Sequence, residues 1–388
     1  MRCSFVAETK YNKVKGWIKS KILDGTYAPG QKISSESELM KQFDISRHTV
    51  RIAIGELVNE GWLYREQGAG TFCADRSTMQ EVSHSEEKRI AIITTYISDY
   101  IFPSIIRGAE AVIRENRYQV SLFSTNNDHE NERQIFETIL SQRFDGVIIE
   151  PTRSATTSPN LNYYLKLELL GIPYIMINAI FDELEPVSVV MDDEKGGYLQ
   201  TEHLIKLGHR NIAGFFQTDD LQGQKRMKGF LKALRVNGLP INPQNIITYS
   251  TYEKFSKPVQ LLSKMLDSAP DKPTGLVCYN DELAMKLLDV IRQKEMIVPA
   301  DISMVGFDDS FFAEVSEVKL TTIEHPKSEL GKRAAEMIIE MVSKGKNFKQ
   351  WHDIESFVFD PKLVLRSSTK RVGSTSDKEP LEEVEMDT

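Results

Sequence analysis

The sequence predicts two folds in one chain, an N-terminal winged helix-turn-helix of the α+β type followed by a two-subdomain α/β body. Three observations point there. The head reads as three helices and then two short β-prone runs around a glycine-bearing turn. Beyond residue 88, short apolar runs alternate with amphipathic helical stretches, the pattern of βα units with buried parallel sheets. Charge divides the same way: residues 1–77 hold twelve Lys or Arg against nine Asp or Glu, a net of +3, and since the whole 388-residue chain is −8 the remainder carries −11. A basic head on an acidic body is the electrostatic pattern of a domain that meets nucleic acid.

In the head, residues 11–23 place Val14, Trp17, Ile18, Ile22 and Leu23 on one helical face, and Gly25 with Pro29-Gly30 ends the pattern. Residues 35–43 form a second helix with Ser34 or Ser35 as N-cap and Leu39, Met40 and Phe43 inward. Ser46 caps a third helix that turns Val50, Ile54, Leu57 and Val58 inward and leaves Arg47, His48, Thr49 and Arg51 outward. The runs 62–65 and 71–73 around Gln67-Gly68-Ala69-Gly70 make a hairpin wing. The polar stretch 76–88 is expected to be a linker between the head, 1–75, and the body, 89–368; residues 369–388 are expected to be an acidic disordered tail.

Strand candidates in the body are 90–94, 146–150, 173–178, 212–216, 276–280 and 302–308. Helix candidates include 104–115, 130–142, 196–207, 226–236 and 282–293. A body of this size divides into two subdomains with a cleft between them.

The chemistry follows from these placements. The second helix of a helix-turn-helix enters the major groove, where an arginine bonds bidentately to guanine, so Arg47 is the candidate base reader. Arg51 lies one turn on, Thr49 and the helix N-terminus suit phosphate oxygens, and Gln67, Gly68 and Gly70 allow the wing a close approach to DNA. In open α/β sheets ligands gather at the carboxyl ends of strands, which here offer Tyr96, Glu150, Asn178, Asn280 and Asp308. Carboxylates and amides with an aromatic face suit a polyol rather than an apolar ligand.

The head motifs, Ser34-Ser35-Glu36-Ser37-Glu38-Leu39, Phe43-Asp44-Ile45-Ser46-Arg47-His48-Thr49-Val50-Arg51, Glu60-Gly61 and Gln67-Gly68-Ala69-Gly70-Thr71-Phe72, resemble the winged-helix domain of GntR-type regulators. With Asp44 in the turn where that family commonly has glycine, the turn requires a left-handed aspartate. The body resembles the periplasmic-binding-protein-like effector domain of LacI/GalR-type repressors, through Asp192-Asp193 with Gly196-Gly197, Leu207-Gly208-His209, Arg226-Met227-Lys228-Gly229-Phe230, Tyr279-Asn280-Asp281-Glu282, Val305-Gly306-Phe307-Asp308-Asp309 and Leu320-Thr321-Thr322. In that family the residues matching Arg226, Asn280 and Asp308 contact the effector, and Asn178 stands where an aspartate is common. This pairing, with the run 94–108 and Glu150-Pro151-Thr152, is similar to the arabinose-responsive repressors of Gram-positive bacteria. The resemblance implies a cytoplasmic homodimer on palindromic double-stranded operator DNA, released by L-arabinose, with another pentose or a sugar phosphate as the alternative effector. It places Lys10, Ser35, Glu36, Ser46, Arg47, His48, Thr49, Arg51, Gln67, Gly68 and Gly70 at the DNA, and Tyr96, Tyr100, Phe102, Glu150, Asn178, Arg226, Tyr252, Asn280 and Asp308 at the effector.

Other functions lack their signatures. No G-x-S-x-G, H-E-x-x-H or P-loop is present, nor a Schiff-base lysine motif, so neither catalysis nor a cofactor is expected. Cys3, Cys73 and Cys278 have no metal or redox spacing. The sequence has no run of ~18 uncharged apolar residues, and its start does not read as a secretory signal, which argues against a membrane protein or an exported binding protein.

Overall fold

The computed structural model describes residues 10–23, 26–59, 62–66, 69–74, 88–142, 144–267, 272–345, 351 and 353–373. The chain divides into two compact units, 1–86 and 87–388. The helix break expected at Gly25, the linker up to residue 87 and the tail beyond residue 373 lie outside the described residues.

The first unit contains α1 (Lys10–Leu23), α2 (Glu36–Phe43), α3 (Arg47–Asn59) and the antiparallel pair β1 (Leu63–Glu66) and β2 (Gly70–Cys73). Val14, Ile18, Leu39, Val50, Ile54, Leu57 and Leu63 are buried together, and the Trp17 ring meets Phe43 edge-on at 5.6 Å. The turn between α2 and α3 hangs on Asp44, which takes φ +49° and returns its N–H to the Met40 carbonyl, closing α2 as a glycine would.

The second unit has two lobes. The first opens with β3 (Arg89–Thr94), α4 (Phe102–Glu115), β4 (Gln119–Ser124), α5 (His129–Ser141), β5 (Gly146–Ile149), α6 (Leu161–Leu170), β6 (Tyr174–Ile177) and β7 (Ser188–Met191). The chain then builds the second lobe with α7 (Asp193–Lys206), β8 (Ile212–Gln217), α8 (Leu221–Val236), β9 (Ile246–Tyr249), α9 (Lys257–Asp267), β10 (Gly275–Cys278), α10 (Asp281–Gln293), β11 (Ser303–Val305), α11 (Phe311–Val315) and β12 (Thr322–Glu324). It returns to the first lobe through α12 (Lys327–Ser343) and β13 (Phe357–Phe359), and ends against the second with β14 (Lys362–Val364). Both lobe sheets are parallel, in the orders β13-β7-β6-β5-β3-β4 and β11-β10-β8-β9.

Strand β3 shows why the body's strands read as unbroken apolar runs. Ile90 and Ile92 face a core shared with α4 and α12, while Ala91 and Ile93 face the opposite core with Phe136, Ile139, Tyr164 and Leu167. Helices α7 and α8 meet through two glycines. A Cβ on Gly197 would lie 2.2 Å from the Arg226 carbonyl oxygen, and one on Gly229 would lie 2.0 Å from that of Glu194. Backbone can approach backbone there only because both side chains are absent, and this contact sets Arg226 against α7.

Residues 369–373, expected in the tail, are packed on the second lobe instead. The Lys370 amide donates to Ser303 Oγ at 3.0 Å and that of Val372 to the Leu207 carbonyl at 2.9 Å. Backbone bonding decides there over a polar composition. Among the described residues, no helix is long and apolar enough to cross a membrane.

Candidate functional site

The carboxyl ends of both parallel sheets face the cleft between the lobes, where a cavity of about 310 Å³ opens. Each functional side chain reaches it from a strand end or the helix that follows. Thr95, Tyr96, Tyr100 and Phe102 come after β3, Glu150 after β5, Gln217 and Asp220 after β8, Arg226 from α8, Asn280 after β10 and Asp308 after β11.

Arg226 is the best-determined of them. Only 1% of its surface is exposed, and its guanidinium is fixed on three sides. Nε donates to Asp193 Oδ1 at 2.8 Å, Nη1 to the Tyr279 carbonyl at 2.8 Å, and Nη2 lies 3.5 Å from Asp308 Oδ1. The Phe307 ring lies under it, 3.5 Å from centroid to Cζ. Burial alone would favour discharge, but the two carboxylates more than offset it and hold the pKa above the ordinary arginine value. The arrangement presents a rigid cation beside an acid whose Oδ1 accepts no hydrogen bond among the described residues. Asp308 itself takes φ +93°, a strained backbone of the kind that concentrates at functional sites.

On the first-lobe side, Glu150 accepts from Thr95 N and Oγ1 at 3.0 and 2.6 Å and from Asn178 Nδ2 at 2.9 Å. Burial raises its pKa above the ordinary carboxylate value, against those hydrogen bonds. Asn280 caps α10 by accepting from the Leu283 amide at 2.9 Å, which leaves its Nδ2 for the cavity. Asp220 accepts from Gly223 N at 2.6 Å and from the Tyr279 hydroxyl at 2.5 Å, and burial pushes it up to about 7. Tyr249, Tyr279, Tyr96 and Phe102 supply aromatic wall. Carboxylates, an amide and an arginine against aromatic rings can take the hydroxyl face and the apolar face of a sugar.

Of the nine residues read from the sequence for this cavity, seven line it. Asn178 does not: it stands behind Glu150, in a left-handed conformation of φ +64°. Tyr252 does not either. It is 76% exposed and lies against Arg153, because the capping box of Ser250 and Glu253 winds 251–253 into a short turn. Thr251 faces the cavity instead. Sequence reasoning also missed Gln217 and Asp220, since β8 runs one residue and α8 starts five residues beyond the bounds read for them. A capping aspartate ahead of the helical pattern was the available signal for Asp220.

In the head, α3 presents Arg47 and Arg51, 63% and 64% exposed, on one face. Glu36 of α2 lies between them, 4.0 Å from Arg47 Nε and 3.4 Å from Arg51 Nε. Ser46 accepts from Thr49 N at 3.3 Å and caps α3, while Ser35 and Glu38 form the reciprocal capping box of α2. His48 is exposed and Thr49 half-buried. Gly70 takes φ +132°, which L side chains rarely adopt, and the wing carries Tyr64 stacked on Phe72 at 5.5 Å. The Lys10 side chain, Gln67 and Gly68 lie outside the described residues.

Residues 10–73 match the bacterial regulatory proteins of the gntR family, and residues 201–369 match the periplasmic binding protein-like domain. The chain is 57% identical over 368 residues to the arabinose metabolism transcriptional repressor of Halalkalibacterium halodurans, covering 95% of this chain and 98% of that one. The chain belongs to the arabinose metabolism transcriptional repressors. The repressor of that name from Geobacillus stearothermophilus is 50% identical over 94% of this chain and 98% of its own length. Among solved structures, a LacI family regulator from Enterococcus faecium with bound ribose superposes with a TM-score of 0.62 at 26% identity, over 74% of this chain and 100% of the other. The chain is thus a DNA-binding transcriptional repressor of arabinose metabolism, and not an enzyme.

Proposed function

We propose that the effector is L-arabinose. Sugar bound between the lobes stabilises their closed arrangement, and the closed body holds the two heads of a homodimer in a spacing that fits a palindromic operator poorly. Residues 1–75 are the reading head, 76–88 the linker and 89–373 the sensing body. In the head, Arg47 reads a base; Arg51, His48, Thr49, the caps Ser35 and Ser46, and the wing at Gly70 hold the phosphates. Glu36 lies between the two arginines as a counter-charge until DNA phosphates replace it.

The observation that carries the effector reading is the buried Arg226–Asp308 pair over Phe307 at the cavity floor. A pentose offers adjacent hydroxyls, which such a pair can bond together, one from a donor and one to an acceptor. A sugar phosphate is the second reading, because Arg153, Lys254 and Lys286 also line the cavity. Two of these are engaged, Lys254 with Glu282 at 3.4 Å and Arg153 with the Tyr252 hydroxyl, so a neutral sugar is favoured. The test is a titration of the full chain on labelled operator DNA at one fixed salt concentration. Release by L-arabinose supports the reading; release only by another pentose or by a phosphorylated sugar replaces the effector.

A further inference from the structure

Tyr100 sits on the first lobe, in the loop between β3 and α4, but its hydroxyl is bonded to the second. It donates to the Phe307 carbonyl at 3.1 Å and accepts from the Asp281 amide at 3.1 Å. The same amide donates to the same carbonyl at 3.0 Å, so the three groups close a triangle. Phe307 immediately precedes Asp308 and Asp281 immediately follows Asn280. The triangle therefore joins the backbones of two residues that line the sugar cavity from different strands, β10 and β11.

The loop is built to hold that position. Tyr100 takes φ +56°, sparsely populated for a bulky residue, and such strain persists only where the surroundings over-determine it. Its ring lies nearly parallel to that of Phe312 in the second lobe, at 6.4 Å and 17°. Two residues later the chain enters α4, which packs along α12 with Gly108 against the Ser328 backbone and Gly331 against that of Ile105. The Asp308 carboxylate also lies within hydrogen-bonding reach of the hydroxyl, so the phenol is already engaged by groups of the second lobe.

We propose that Tyr100 is a positioning residue rather than a sugar contact: its hydroxyl fixes Asn280 and Asp308 in their sugar-binding geometry and transmits their state to α4 in the first lobe. The inference rests on the reading of those two residues as effector contacts. When sugar draws Asp308 and Asn280 together, the triangle tightens and the first lobe is held to the second; when they relax, that hold weakens.

Tyr100→Phe in the full chain removes the hydroxyl and keeps the ring. In the ligand-free protein, amide hydrogen exchange in 279–283 and 306–310 is expected to be at least about fivefold faster in the variant, for the loss of one buried hydrogen bond. Calorimetry with L-arabinose is expected to show about tenfold weaker binding, and saturating sugar to release operator DNA less completely than from the wild type. Wild-type exchange rates in the variant overturn the proposal whether or not L-arabinose binds. Faster exchange with unchanged affinity and unchanged release overturns it too, leaving Tyr100 a structural contact. Failure of the wild-type protein to bind L-arabinose overturns the effector reading instead, and the exchange comparison still decides the role of the hydroxyl.

Discussion

The Asn178 amide donates to Glu150 Oε1 at 2.9 Å, so the carboxylate that lines the cavity from the first lobe is held by a residue that does not line it. Asn178 is a support for an acid, which explains why a donor occupies the place. Asn178→Asp would set two carboxylates within hydrogen-bonding distance in a buried site, where only one can stay charged. L-Arabinose binding is expected to weaken by about tenfold or more at pH 8 and to recover partly at pH 6, where the pair can share a proton. Calorimetry at the two pH values checks this; equal affinities at both would show that Asn178 does not orient Glu150.

Gly197→Ala tests how Arg226 is placed. The added methyl would lie 2.2 Å from the Arg226 carbonyl oxygen and 2.7 Å from its Cα, both backbone atoms that cannot rotate away. Overpacking of this kind costs about 1–3 kcal/mol. The body is expected to melt several degrees lower and to bind sugar more weakly, while the head, a separate compact unit, keeps its own stability. Scanning calorimetry and a sugar titration on the same sample measure both; an unchanged melting curve would mean that α7 and α8 separate freely.

The sequence made much of this legible because the strongest signals were local. The double-sided burial of β3 wrote itself as an unbroken apolar run, and the caps Ser35 and Ser46 stood at visible helix starts. Edge strand β4 is half-exposed, and its alternation was too weak to read. The Tyr252 and Thr251 exchange depended on a single turn whose winding decides which neighbour faces inward. Contacts across sequence, such as Arg226 to Asp193 and Tyr100 to Phe307, arise only when the sheets are assembled, and no spacing rule anticipates them.

Arg47→Ala removes an exposed cation from the outer face of α3, where Val50, Ile54 and Leu57 carry the packing. Loss of a base-reading arginine costs about 1–3 kcal/mol, or roughly 5- to 150-fold in operator affinity. Sugar affinity is expected to stay at the wild-type value. Anisotropy titrations on operator and scrambled DNA separate base reading from phosphate contact: an equal loss on both sequences would assign Arg47 to the backbone.

Asp308→Asn keeps the shape of the side chain and removes its charge beside Arg226. Operator binding is expected to persist and release by L-arabinose to disappear, since the acceptor at the cavity floor becomes half donor. A normal response to sugar in this variant would remove Asp308 from the effector site.

Asp220 makes stability depend on pH. Burial pushes its pKa up to about 7, against about 3.8 when the chain is unfolded, and the Tyr279 hydroxyl and Gly223 amide only partly offset that. Its neighbours are Asp219, which raises it further, and Arg226, which lowers it. A folded pKa above the unfolded one means that the folded state binds the extra proton between those values, so this contribution to stability is complete below about pH 4 and is lost as pH rises through 7. Asp220→Asn accepts the same Gly223 bond and never acquires the buried charge. Its melting temperature relative to wild type is therefore expected to climb from pH 5 to about pH 7 and to level off toward pH 8. Scanning calorimetry across that range decides it, and a difference that stays constant would mean that Asp220 is ionised throughout.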